Sequence, residues 1–275
     1  MVSAHLSVNP PYGAPMSAEA IGLRLEQREQ GAIAHLSIEN SAKLNTLNSQ
    51  NLEQLLRTLA GLGADGDLRA VVLTGAGHRA FIGGADIVEM ACLDAAKARA
   101  FITLVHRACA GLRDLPVPVI ARINGYALGA GLEVAAACDL RIASSNAVFG
   151  MPEVKVGIPS VVEAALLPGL IGWGRTRELL LFGENIDAPT ALARGLVEQV
   201  VAPEHLDAAV EARLAALLAA GPRAVRLQKQ LIRRWEDLTL SQAVSAGIES
   251  FTQAYATDEP ARMMAQFTQR RRPSP

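Results

Sequence analysis

The sequence predicts an α/β fold with a helical C-terminal region. Apolar strand-like runs, Arg69 to Thr74 and Val119 to Ile123, each lead into a glycine-rich loop followed by a helix-like segment. Strand-like runs dominate before about residue 160, and long amphipathic stretches dominate after 203. Half of the 275 residues are hydrophobic and only 4% are aromatic, so a sizeable core must be aliphatic. The chain divides accordingly into three parts. Residues 1–18, with prolines and small residues, form a lead-in expected to be disordered; residues 19–202 form an α/β core; residues 203–275 form a helical region of the kind that often builds oligomer interfaces.

Each element has its own signal. Ile21 to Glu26 alternates apolar and polar residues as a half-buried strand should, and Ala32 to Ile38 is a second strand-like run after a break at Gln30-Gly31. A turn-rich segment, Glu39 to Asn45, precedes a helix from about Ser49, with Leu52, Leu55, Leu56 and Leu59 at helical spacing. Asn48 or Ser49 can cap that helix, and Gly61 and Gly63 close it. Arg69 to Thr74 reads as a buried strand and Gly75 to Ile87 as a loop; a short helix near Ile87 to Ala91 and a long one from about Asp94 to Leu112 follow. The strand Val119 to Ile123 then runs into the glycine turn Asn124 to Gly131, which opens a helix from Leu132 to about Cys138. Short strands around 140–143 and 147–149 lead to Met151 to Pro159. Helical stripes follow over 161–170, 174–182 and 188–195, a strand near 196–201, and amphipathic stretches over 203–220, 222–236 and 240–256. Arg270, Arg271 and Arg272 read as a solvated tail.

Composition excludes several classes of function. With 26 basic and 27 acidic residues, the net charge of −1 gives no argument for nucleic acid or an anionic membrane as partner. No run approaches 18 consecutive apolar residues, so no transmembrane helix is expected. The N-terminus lacks the charged and apolar regions of a signal peptide, which leaves the cytoplasm as default. Cys92, Cys109 and Cys138 are odd in number and widely spaced; they suit a reducing compartment and read as small core residues. Histidines 5, 35, 78, 106 and 205 have no ligand spacing, so no metal site is expected. Gly75-Ala76-Gly77-His78-Arg79-Ala80 fits a dinucleotide fingerprint, but it runs into Phe81-Ile82-Gly83-Gly84 instead of opening a long helix.

Two constellations could carry chemistry. The loops ending in Gly83-Gly84-Ala85-Asp86 and Gly129-Ala130-Gly131 share one construction, strand, glycine turn and helix. N–H groups at a helix start point outward without intrahelical partners, and two of them converging could stabilise an oxygen that becomes negative. On spacing alone, both could equally be tight turns of an α/β fold. Glu133 and Glu153 are the second constellation, each bordered by apolar residues (Leu132, Val134, Val154). Carboxyls in apolar surroundings hold protons more tightly, and two placed together divide into an acid and a base. Each also has an ordinary reading: Glu133 complements a helix dipole, and Glu153 faces solvent from a strand. Asp86 and Glu89 read as dipole partners in a first helical turn.

Together these stretches resemble a known family. Ala80 to Met90 is similar to the first signature of the enoyl-CoA hydratase/isomerase (crotonase) family, Asn124 to Glu133 to the second, and Pro152-Glu153 with Gly157-Ile158-Pro159 to the third. Order and spacing agree, and the resemblance runs from about residue 20 to 260. It implies a spiral of ββα repeats with a C-terminal helical oligomerisation region, assembled as a trimer or hexamer. It also implies an acyl-CoA thioester substrate whose carbonyl accepts bonds from the N–H groups of Ala85 and Ala130, the latter standing where the family usually has glycine. Lys43, Leu44, Gly84, Ala85, Asp86, Ile87, Val88 and Gly129 match positions that contact CoA or substrate. Glu133 and Glu153 stand where hydratases keep their acids. The implied reaction is addition of water to a trans-2-enoyl-CoA, with Glu153 giving a proton to Cα and Glu133 activating the water, without metal or redox cofactor. The alternatives are enoyl-CoA isomerisation, hydroxyacyl-CoA dehydration, and a non-catalytic binding homologue with nucleic acid as the partner to test. One stretch departs from the common hydratase pattern: Ser160-Val161-Val162-Glu163-Ala164-Ala165 replaces glycines and a Thr-Gln pair near the acyl pocket. Glu163 is expected to be an exposed helix residue, or else an additional acid facing the site.

Overall fold

In the computed structural model of the protein, the structure describes residues 20–270. The expected lead-in over 1–18, and Arg271 and Arg272 of the expected tail, lie outside the described residues. A hairpin of β1 (Ile21–Arg28) and β2 (Gly31–Ile38) forms one end of a six-stranded sheet. The sheet continues through β3 (Leu68–Gly75), β5 (Val119–Ile123), β7 (Leu140–Ser144) and β10 (Gln199–Val201), every pair parallel from β2 onward. A second sheet joins β4 (Ala80–Ile82), β6 (Tyr126–Leu128), β8 (Val148–Gly150) and β9 (Ile186–Asp187), with β9 antiparallel.

The chain repeats one course three times: a strand in the large sheet, then a strand in the small one, then helical structure. After β3 and β4 come α2 (Ile87–Met90) and α3 (Ala95–Asp114); after β5 and β6 comes α4 (Ala130–Ala137); after β7 and β8 comes a 3₁₀ turn, Pro152–Val156. This is the ββα spiral that the resemblance implies. The regions read as loops, 75–87 and 124–131, contain strands β4 and β6. Three residues are too few to display an alternation, so the pattern gives no warning of the second sheet.

Side-chain parity explains the layers. Along β3, Val71 and Leu73 join the main core, while Ala70 and Val72 face the other way with Ile33, Ile120 and Ile142. A strand covered on both faces must read as a continuous apolar run, as Arg69 to Leu73 nearly does. Onto the first face pack α1 (Ser49–Gly63), through Leu52, Leu55, Leu59 and Leu62, and α3, through Phe101, Val105 and Leu112. Onto the second packs α7 (Leu206–Ala219), through Leu206, Val210, Leu214 and Leu218. Asn48 is the cap of α1: its side chain accepts from the Asn51 N–H at 2.9 Å and Asn51 returns the bond. By contrast, Leu23 and Leu25 of β1 are exposed, so the alternation there does not mark a buried face.

The remaining helices are α5 (Leu167–Phe182), kinked at Gly172 where φ is +76°, α6 (Ala188–Arg194), α8 (Pro222–Trp235), α9 (Leu240–Ala254) and α10 (Glu259–Arg270). The last was not distinguished in the sequence, and it takes Arg270 into a helix end. Helix α4 is apolar all round except for Glu133, and every one of its eight residues is buried. A helix of that character belongs inside a core. It therefore carries a carboxylate into the molecule.

Candidate active site

A cavity of about 970 Å³ opens between the ends of β4 and β6, helices α2 and α3, the start of α4 and the 3₁₀ turn at 152–156. It is lined by Lys43, Gly84, Ala85, Asp86, Ile87, Val88, Gly129, Ala130, Glu133 and Glu153. Of the residues that the resemblance assigns to the site, only Leu44 does not line it. Leu44 lies beneath the turn, its carbonyl accepting from the Gly83 N–H at 2.8 Å. Met90, Leu93, Phe101, Ile102, Val105, Ile158 and Val161 make the rest of the wall largely apolar.

Two residues lining this space, Ala85 and Ala130, sit where the local backbone leaves an N–H without a neighbouring chain partner. Leu47 grips the first turn on both sides of Ala85, its N–H donating to the Gly84 carbonyl at 2.9 Å and its carbonyl accepting from the Asp86 N–H at 2.7 Å. Alternation along an extended segment then turns the Ala85 N–H away from Leu47. Ala130 is the first residue of α4, where an N–H has no intrahelical partner. The residue before it, Gly129, holds φ +51° and ψ −123°, a conformation open to glycine. A Cβ there would also strike the Glu153 carboxylate. One glycine thus sets the helix start and leaves room for the acid.

Glu133, in the first turn of α4, is 4% exposed, and its Oε1 accepts from the Ala164 N–H at 3.3 Å. Burial first, and the nearby charge of Glu153 second, push its carboxyl up to about 8. Glu153 is not on a strand but on the 3₁₀ turn, and its Oε2 accepts from the Ser160 hydroxyl at 2.8 Å. In the sequence Ser160 is only part of an atypical segment, and nothing in its spacing announces the bond. Asp86 caps α2, accepting from the Val88 N–H at 2.9 Å and pairing with Lys43 at 3.1 Å. Burial works to raise Asp86, but the Lys43 bond and the backbone N–H groups outweigh it and hold the carboxyl low. Glu89 is bound to the Ser49 N–H at 2.9 Å and to its hydroxyl, tying α2 to the start of α1.

The expectation for Glu163 as an exposed helix residue is overturned. It lies in a second 3₁₀ turn, Val162–Leu166, and is buried, because that turn packs between α3, α4 and α5. Its carboxylate meets His106 Nδ1 at 2.8 Å and does not line the cavity. The glycine loop at 75–80 is closed by amides, Asn45 Nδ2 donating to the Ala80 carbonyl at 2.8 Å and Asn124 Nδ2 to those of Gly75 and Gly77 at 2.9 and 2.7 Å. It leads into β4 and not into the helix that a dinucleotide fingerprint would open. Cys109 and Cys138 are buried thiols, Cys138 pushed up to about 12 by burial. Among the described residues, no three His, Cys, Asp or Glu side chains group as they would to hold a metal ion, and no helix is long and apolar enough to cross a membrane.

Comparison with known proteins places the chain. The sequence model of the enoyl-CoA hydratase/isomerase family matches residues 28–274, and the chain belongs to this family. Among its relatives is a short-chain-enoyl-CoA hydratase of Clostridium acetobutylicum, 37% identical over 245 residues, covering 89% of this chain and 94% of that protein. A crotonyl-CoA hydratase of Syntrophomonas wolfei is 35% identical over 249 residues, covering 90% and 95%. The crystal structure of an enoyl-CoA hydratase from Bacillus anthracis superposes with a TM-score of 0.85 at 31% identity, covering 92% of this chain and 98% of that one.

Proposed function

We propose that this protein is an enoyl-CoA hydratase, a hydro-lyase that adds water across the double bond of a trans-2-enoyl-CoA thioester to give a 3-hydroxyacyl-CoA. The observation that carries the reading is a buried acid, Glu133, beside a second carboxyl, Glu153, in a largely apolar cavity. The thioester oxygen takes the N–H groups of Ala85 and Ala130, which stabilise the enolate-like transition state. Near neutral pH Glu133 holds a proton. One carboxyl gives a proton to Cα while the other takes one from the water whose oxygen bonds to Cβ, so the pair ends with as many protons as it began. The resemblance assigns donation to Glu153 and water activation to Glu133, whereas burial favours Glu133 as the resting place of the proton. A water bridging the two carboxyls reconciles these, because it can pass the proton to Glu153 before addition.

Lys43, Gly84, Asp86, Ile87, Val88 and Gly129 hold the CoA and thioester portions, with Leu44 supporting the turn from below. No cofactor beyond the CoA of the substrate takes part. Residues 19–202 form the catalytic core and 203–275 the helical region through which copies assemble as a trimer or hexamer. The protein works in the cytoplasm, with neither nucleic acid nor membrane as partner, as the near-balanced charge suits. Purified protein with crotonyl-CoA, followed by loss of the enoyl thioester absorbance, tests the reading. Glu133→Gln and Glu153→Gln should each lower kcat by roughly 10²–10⁴-fold, the usual worth of positioned acid–base groups. Wild-type rates in both folded variants would exclude a two-carboxylate mechanism.

A further inference from the structure

A third carboxylate stands behind the acid pair. Glu163 is 4% exposed, one oxygen meets His106 Nδ1 at 2.8 Å, and the other, Oε2, is buried, with the Cys109 thiol beside the carboxyl. A carboxylate so placed keeps its charge at a cost, and that charge acts strongly on its neighbours because little water screens it. The nearest functional neighbour is one residue along the chain: the Ala164 N–H holds Glu133 Oε1 at 3.3 Å. The turn carrying Glu163 packs against α3, α4 and α5. From α3 it meets His106 and Cys109, and from α4 it meets Glu133. Helix α5 has no titratable side chain before Arg175, whose guanidinium donates to the Arg194 carbonyl at 3.1 Å. Burial pushes the Cys109 thiol well up, so it stays neutral and offers no countercharge. That leaves His106, whose side chain is 54% exposed.

We propose that Glu163 and His106 form a positioning pair that sets the proton occupancy of Glu133 from outside the cavity. A negative charge on Glu163 favours the protonated acid at Glu133, and a positive charge placed beside Glu163 weakens that influence. The catalytic meaning of this rests on the hydratase reading; the electrostatic coupling does not.

The test is an infrared titration of ¹³C-glutamate-labelled protein, with the Glu133 carboxylic acid band assigned by its loss in Glu133→Gln. Glu163→Gln keeps the shape and removes the charge. The Glu133 midpoint should fall by about one pH unit, the size of a single close charge. His106→Arg places a permanent cation beside Glu163 on an exposed site of α3, so the midpoint should fall there as well, without any change to a buried residue. The alkaline limb of kcat/KM should move in the same direction in both variants. A midpoint that stays or rises in the folded variants overturns the proposal; should Glu163→Gln fail to fold, His106→Arg decides alone. Lack of activity toward crotonyl-CoA in the wild type counts against the hydratase reading, and the infrared midpoints still decide the coupling.

Discussion

Glu133 shows how one residue links burial, stability and chemistry. Its carboxyl titrates near 4.5 when free and at about 8 in the fold. Between those values the folded protein binds more protons than the unfolded chain, so stability must fall as pH rises. The sign is that of a raised group: the contribution is complete below about pH 4.5 and is lost as pH passes through about 8. The slope in that window approaches 1.4 kcal/mol per pH unit for one proton. Glu133→Gln removes it. Urea unfolding from pH 5 to 9 should therefore show the variant gaining on the wild type steadily, with the largest advantage at the alkaline end. Parallel curves would mean that Glu133 is solvated, and the raised affinity would have to be abandoned.

At the scale of elements, the junction of β6 and α4 concentrates the design. Strand β6 brings the chain along the small sheet, Gly129 turns it with a positive φ, and α4 starts at once with Ala130, which lines the cavity. Gly129→Ala tests this junction. The new methyl meets the Glu153 carboxylate, and the backbone is held where L-residues are strained. The expected result is a stability loss of about 1–3 kcal/mol by thermal unfolding, the usual cost of such strain, together with a fall in kcat as Glu153 is displaced. An alanine variant with wild-type kcat would show that neither the turn nor the acid is held as described. Much of this junction is legible in the sequence, because a glycine turn, a helix start and an acid in its first turn all lie within ten consecutive residues. The cap at Asn48 and the stripe of α1 are legible for the same reason, being local. The strands β4 and β6 are not, since three residues carry no period. Nor is the burial of Glu163, which depends on α3, α4 and α5 meeting around a turn whose own sequence reads as a helix surface.

At the scale of the molecule, one side of α9 is left uncovered by the described residues. Leu240, Val244, Ile248, Phe251 and Tyr255 recur at three- and four-residue steps, and all are exposed. The rings of Phe251 and Tyr255 lie 5.2 Å apart and extend the same stripe. A contiguous apolar strip of this length is unusual on a lone monomer, and in the proposed trimer or hexamer another copy of the chain would cover it. Trp173, Leu181 and Phe182 are exposed as well and give α5 a second apolar surface for such contacts. Sedimentation at micromolar concentration should give a mass three or six times that of the 29.0 kDa chain. Ile248→Glu combined with Phe251→Glu places two charges in the strip, where a buried unpaired carboxylate is costly, and should shift the protein toward a monomer. Because the cavity is built from residues before 162, the dissociated variant should still bind an acyl-CoA. A wild-type monomer at micromolar concentration would remove α9 as an interface and leave the strip unexplained.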